Sequence, residues 1–185
     1  ELSDVVRIFV TGATGTLGRP TVKKLVAAGH EVRALARSAA NEPLLRQLGA
    51  TPVRADLFDA TSVESAVDGC QAALHLATKI PPTSDARKRR AWIENDRIRT
   101  DGTRTLVDAA LATGVERLVY PSVCFTYPDR GRDWIDTNTE IAPAGMLEST
   151  VAAEREVGRF SDTGRRGIVL RMGYFYGPTA PNTLD

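Results

Sequence analysis

A chain of 185 residues with 42% hydrophobic and 25% charged residues has the composition of a globular domain and the length to hide about 70% of its unfolded surface, which argues against disorder and predicts one domain. Lysine and arginine total 24 against 23 acidic residues, so no bulk charge draws the chain to nucleic acid. No apolar run approaches the roughly 20 residues of a membrane span, no basic-apolar leader precedes the first strand, and Cys70 and Cys124 fit neither a disulfide framework nor a zinc cluster, so the reading is a cytoplasmic protein without metal.

Strand and helix patterns then alternate from end to end. Val5 to Val10 predicts a buried strand, Thr11 to Gly18 a turn, and the next residues an amphipathic helix ending at Gly29. Glu31 to Ala36 reads as a second strand, Glu42 to Leu48 as a short helix closed by Gly49, and Thr51 to Arg54 as a third strand. Asp59 or Thr61 can cap a helix that runs to Gly69, followed by a fourth strand, Ala72 to Leu76. Pro81 to Ser84 form a loop, and one long helix extends to about Thr113, with the basic run Arg87 to Arg90 as its solvated start. Arg117 to Tyr120 predicts a fifth strand with Pro121 and Ser122 at its end. Pro128 to Gly145 is irregular, Ser149 to Phe160 is a helix, and Gly167 to Arg171 a sixth strand. This is the signature of an α/β, doubly wound parallel sheet, with expected order 3-2-1-4-5-6.

The first turn, Thr11-Gly12-Ala13-Thr14-Gly15-Thr16-Leu17-Gly18, sits between a strand and a helix. There Gly12 permits the tight turn, Gly15 lets the backbone approach a pyrophosphate, and Gly18 lets helix and strand pack closely. Free N–H groups at the helix start favour an anion. A dinucleotide is therefore the expected ligand. An acid at the tip of the second strand would hold the ribose 2′-hydroxyl of NAD, but Ala36 stands there with Arg37 beside it. Arginine suits a 2′-phosphate, which favours NADP and leaves NAD as the alternative. Arg19 and Arg33 are further cations that could assist. His75, inside an apolar strand, reads as a packed residue, and Trp92, Trp134 and Phe125 as core or loop anchors.

These residues together resemble the short-chain dehydrogenase/reductase superfamily, in its extended branch of NAD-dependent epimerases and dehydratases. The likeness rests on Thr11 to Gly18, Ala55-Asp56-Leu57, His75-Leu76-Ala77, Gly102-Thr103, Gly114-Val115, Val119-Tyr120-Pro121-Ser122, Arg171-Met172-Gly173 and Tyr176-Gly177-Pro178. It implies that Asp56 and Leu57 lie against the adenine, and that Leu76, Ala77 and Thr78 lie along ribose and phosphate. With Gly12, Thr14, Gly15, Thr16, Leu17, Gly18 and Arg37 they form the expected cofactor set. The resemblance implies that residues 1–178 make the dinucleotide-binding Rossmann domain, with 179–185 as the start of a truncated or missing substrate-binding region and the family's C-terminal substrate domain largely absent.

The resemblance also implies a substrate-binding serine, which Ser122 matches, and a Tyr-x-x-x-Lys in which lysine lowers the tyrosine's pKa. Here Met146 and Thr150 fall at those two positions. A thioether has no proton to transfer and a threonine no charge, and none of Tyr120, Tyr127, Tyr174 or Tyr176 has a lysine four residues later. Arg99 replaces the helix asparagine that often completes the set. Tyr127, five residues after Ser122, is the remaining proton-donor candidate, and Lys79 a candidate cation. The expectation is an NADP-dependent reductase or epimerase/dehydratase acting on a small carbonyl, alcohol or sugar-nucleotide substrate, or else a catalytically inactive NADP-sensing module. The resemblance implies a homodimer through the helices around Gly102 and Glu154.

Overall fold

The computed structural model describes residues 5–143 and 145–175. Six parallel strands, β1 (Arg7–Thr11), β2 (Glu31–Ala36), β3 (Thr51–Arg54), β4 (Ala72–His75), β5 (Arg117–Val123) and β6 (Arg166–Met172), form one sheet in the order β3-β2-β1-β4-β5-β6. This is the expected Rossmann order. Its cause lies in the alternating sequence: every crossover carries a helix, and right-handed crossovers reverse direction once, between β1 and β4.

Helices α1 (Gly18–Ala27) and α2 (Glu42–Gln47) belong to one layer, with α3 (Ala60–Val67), α5 (Thr103–Ala112) and α6 (Glu148–Ser161) in the other. Adjacent residues of β1 therefore enter different cores. Phe9 packs in the cluster of Val63, Leu106, Leu118 and Phe160, and Val10 in that of Val22, Val32 and Leu45. The Asp59 side chain caps α3, accepting from Ser62 N at 3.2 Å. Helices α1 and α2 reach only β1 to β3, so on their side of the sheet Ile168 and Leu170 of β6 remain exposed.

Three local readings change. β1 begins at Arg7 and includes Thr11, whose side chain is fully buried. β5 runs through Pro121 and Ser122 to Val123, because it keeps β6 as a partner over its whole length. Beyond Val119 it no longer pairs with β4, and a proline without an N–H is tolerated beside the missing neighbour. The predicted long helix is broken: Arg89–Trp92 forms a 3₁₀ turn, α4 spans Ile93–Arg97, and Ile98–Gly102 is a π turn before α5. Lys88 pairs with Asp85 and Arg89 with Asp96, so this basic run is partly neutralised. Trp92 anchors its loop by donating to Ala86 O at 2.8 Å, whereas Trp134 is 97% exposed and anchors nothing. Tyr176-Gly177-Pro178, the end of the 1–178 domain and the side chain of Met146 lie outside the described residues. Among those described, no helix is long and apolar enough to cross a membrane, and no group of three His, Cys, Asp or Glu could hold a metal.

Candidate functional site

The C-terminal ends of β1, β2 and β4 open onto a cleft of about 660 Å³, within the range of cofactor sites. The glycine turn forms its floor. Gly12 has φ +68°, and a Cβ on it would lie 2.5 Å from the Leu76 carbonyl and the Ala77 nitrogen. Only a residue without a side chain lets β1 turn this close to β4. A Cβ on Gly18 would fall 2.1 Å from Gly12 O, so helix and turn also touch backbone to backbone. Gly15 N donates to Gly12 O at 3.0 Å, which curls the turn beneath α1. This cradle fits a pyrophosphate: Gly12 and Gly15 line the cleft, and a Cβ on Gly15 would meet only Gly12 O at 3.2 Å, so its missing side chain leaves the backbone open to an anion.

The expected cofactor residues separate into two groups. Gly12, Thr14, Gly15, Arg37, Asp56, Leu57, Leu76, Ala77 and Thr78 line the cleft. Thr16, Leu17 and Gly18 form the turn and the start of α1 behind that wall. Sequence reasoning missed Asn41, Arg54, Phe58, Ser62, Glu94 and Ile98, which also line it. Arg54 stands opposite Ala36 in the β2–β3 register and donates from Nε to Glu42 Oε1 at 2.8 Å, so Arg37 and a carboxylate-paired Arg54 flank the tip of β2. Strand pairing, not spacing, would have found it. Arg19 and Arg33 are occupied elsewhere: Arg19 donates to Thr14 O at 2.7 Å and Arg33 to Asp68 O at 2.7 Å. Glu94 approaches Arg37 at 3.8 Å, a loose and exposed pair of little strength.

Below the turn, Thr11 Oγ1 lies 2.7 Å from His75 Nδ1 and accepts from Ala77 N at 3.3 Å. These contacts tie the ends of β1 and β4 together under the cleft. His75 is 1% exposed, and burial pushes its pKa down to about 4. It is a packed neutral imidazole. Its neighbour Tyr120, whose ring centroid is 5.9 Å away, is pushed up to about 12 by burial.

Ser122 and Tyr127 lie outside the walls of this cleft, but Glu154 and Arg171 join them to each other. Ser122 is buried, and its hydroxyl donates to Glu154 Oε1. Arg171 donates to Glu154 from Nε at 3.1 Å and from Nη2 at 2.7 Å, and from Nη1 to Tyr127 Oη at 2.8 Å. The hydrogen-bonded carboxylate holds the Arg171 guanidinium above its ordinary pKa. Ser122's only proton is thus committed to Glu154, while Tyr127, accepting from Arg171, keeps its own proton to donate. One helical turn away, Arg99 donates to Thr150. Lys79 is exposed; its backbone N–H donates to Asn95 Oδ1 at 3.0 Å.

Residues 12–176 match the family described as NAD(P)H-binding. A 3-diazoavenalumate denitrifying reductase from a Streptomyces species is 36% identical over 94% of this chain and 57% of its own length. Cinnamoyl-CoA reductase 1 of rice is 34% identical over 84% of this chain and 43% of its own. The chain thus spans about half the length of these relatives. The structure of a Bacillus cereus UDP-glucuronic acid 4-epimerase, in complex with UDP-glucuronic acid and NAD, superposes with a TM-score of 0.77 at 17% identity, covering 94% of this chain and 58% of that one. The chain belongs to the NAD(P)H-binding family, in the extended short-chain dehydrogenase/reductase branch of epimerase- and dehydratase-like proteins.

Proposed function

We propose that this chain is the cofactor-holding part of an NADPH-preferring reductase. The observation that carries the reading is the pair Arg37 and Arg54 at the cleft end where an NAD site would carry an acid, with Ala36 between them. The cofactor supplies a hydride; these two residues would hold its 2′-phosphate. A charge-assisted contact to phosphate is worth about 1.5–3 kcal/mol, or roughly 10- to 100-fold in affinity. Arg37→Ala is expected to weaken NADPH by about that factor and to leave NADH within about threefold. Tighter binding of NADH than of NADPH by the unaltered protein overturns the preference.

The nature of the hydride acceptor depends on where a proton can come from. For reduction of a small carbonyl compound, hydride adds to carbon and the oxygen takes a proton, which Tyr127 Oη would give while Arg171 stabilises the phenolate left behind. Ser122 then acts by fixing Glu154 and, through it, Arg171. A second reading is favoured by the missing Tyr-x-x-x-Lys together with the committed Ser122 proton: the acceptor is a diazonium group. Hydride on its terminal nitrogen gives R–N=N–H, which loses N₂ and leaves R–H, with no proton required from the protein. The 36% identical relative is, by name, a diazo-compound reductase. NADPH oxidation measured with aldehydes, ketones, sugar nucleotides and diazonium compounds separates the readings. Tyr127→Phe should abolish the first activity and spare the second. Oxidation with none of them favours the NADP-sensing module.

A further inference from the structure

The carboxyl ends of β5 and β6 carry a surface that the cofactor cleft does not include. The last paired residues of the two strands are Val123 and Met172, and Phe125 and Tyr174 each stand two residues beyond them. Their rings meet there, with centroids 5.0 Å apart and planes at 54°, a tilted arrangement within the favourable range for aromatic pairs. Phe125, expected as an anchor, is nevertheless 47% exposed, and Tyr174 is 81% exposed. Neither belongs to the two buried clusters; the rings hold each other and leave their outer faces open. A single exposed ring needs no explanation, but contiguous exposed apolar surface marks a place where something binds.

Its neighbours say what. Tyr127 comes two residues after Phe125, and Arg171 three before Tyr174; the Arg171 guanidinium donates to Tyr127 Oη at 2.8 Å and lies 4.9 Å from the centre of its ring. The pair therefore shares its two strand ends with the proton donor and the cation of the reductase reading. Along the sheet β4 lies next to β5, and its exit, Leu76 to Thr78, forms one wall of the cofactor cleft. With neighbouring strands about 4.8 Å apart, the exits of β5 and β6 follow about 5–10 Å farther along the same edge. This carboxyl edge is where open α/β sheets take their ligands. Two side chains are also of ligand size, far short of the roughly 800 Å² per partner that a stable protein interface buries.

We propose that Phe125 and Tyr174 form a substrate subsite for an aromatic ring, so that the hydride acceptor is an aryl compound with its reactive group on or beside that ring. A third ring completes an edge-to-face cluster with the two already in contact. An aliphatic group of equal size buries the same area but has no quadrupole to match, and the difference is about two- to tenfold in affinity for each ring. Because the two rings already hold each other, little freedom is lost when the substrate binds. Phe125 and Tyr174 select and position; the chemistry stays with the cofactor and the groups around Tyr127. The inference rests on the reading of the chain as part of a reductase and narrows its substrate, and it holds for a carbonyl and for a diazonium acceptor alike.

The test titrates two alcohols of nearly equal size, benzyl alcohol and cyclohexylmethanol, into the protein with NADPH bound, where neither can be reduced, and reads their affinities by NMR. The unaltered protein should bind benzyl alcohol about fivefold or more tighter. Phe125→Leu and Tyr174→Leu should each weaken benzyl alcohol by about two- to tenfold and cyclohexylmethanol by less than about twofold, while Phe125→Tyr, which keeps a ring, retains the preference. Both positions are exposed, so the leucine variants should melt with the unaltered protein, and Tyr174→Leu supplies the same comparison if Phe125→Leu does not fold. Equal affinity for the two alcohols, binding of neither, or a preference that survives both leucine substitutions overturns the proposal. A preference for benzyl alcohol without NADPH oxidation by benzaldehyde or benzenediazonium leaves the aromatic subsite standing and overturns the reductase reading instead.

Discussion

The buried histidine beneath the cleft makes the fold acid-labile over a definable range. Thr11 Oγ1 accepts from Ala77 N, so its own proton is directed to His75 Nδ1. A second proton on the ring would turn that hydroxyl into an acceptor on both sides and place a charge in a fully buried site. His75 accordingly has its pKa lowered from 6.5 to about 4, with burial as the main cause. The folded state resists a proton that the unfolded chain accepts. The stability is therefore complete above pH 6.5 and is lost as pH falls toward 4. The full difference is about 3 kcal/mol, a large part of the roughly 5–15 kcal/mol typical of a domain. Urea unfolding of the unaltered protein and of His75→Asn, at about pH 8 and about pH 4.5, isolates the effect, since carboxylates titrate alike in both. The unaltered protein should lose about 2–3 kcal/mol more than the variant between those two conditions. Parallel losses in the two proteins would refute the assignment of His75 as a neutral, desolvated group.

Two further substitutions probe the walls of the site. A Cβ at Gly102 would lie 2.7 Å from Leu57 Cδ2, so Gly102→Ala should push Leu57 into the cleft and weaken NADPH several-fold at a stability cost of about 1–3 kcal/mol; titration of cofactor fluorescence and thermal melting read the two effects, and unchanged affinity would show that Leu57 has room to move elsewhere. Glu154→Gln removes the charge that accepts from Ser122 and twice from Arg171. With Glu154 9% and Arg171 23% exposed at their side chains, the expected loss is about 2 kcal/mol, below that of a fully buried pair, and a urea midpoint equal to that of the unaltered protein would show the network to be energetically idle.

The parts of the site that could be read from the sequence are those built from contiguous segments. Gly12, Gly15 and Gly18 are spaced by the geometry of one turn. Arg37 follows directly from the end of the second strand, and the family resemblance pointed to Asp56, Leu57 and the Leu76–Thr78 segment just beyond the third and fourth. The alternation of strand and helix patterns also predicted the sheet order, because right-handed crossovers leave few arrangements open. Element ends were less legible. β5 continues to Val123 because β6 pairs with it, and nothing within Arg117 to Val123 encodes the presence of that neighbour.

The sequence by itself thus determined a parallel α/β fold with a glycine cradle for a dinucleotide and a cation after β2, since each depends on residues close together in the chain. Tertiary structure alone decided which distant side chains meet. It brought Arg54 beside Arg37 through strand register, tied His75 to Thr11 across 64 positions, committed the Ser122 proton to Glu154, and carried Arg99 to Thr150 from another helix. Hydrogen-bond partners and charges are chosen by packing, and packing joins residues that the order of the chain keeps apart.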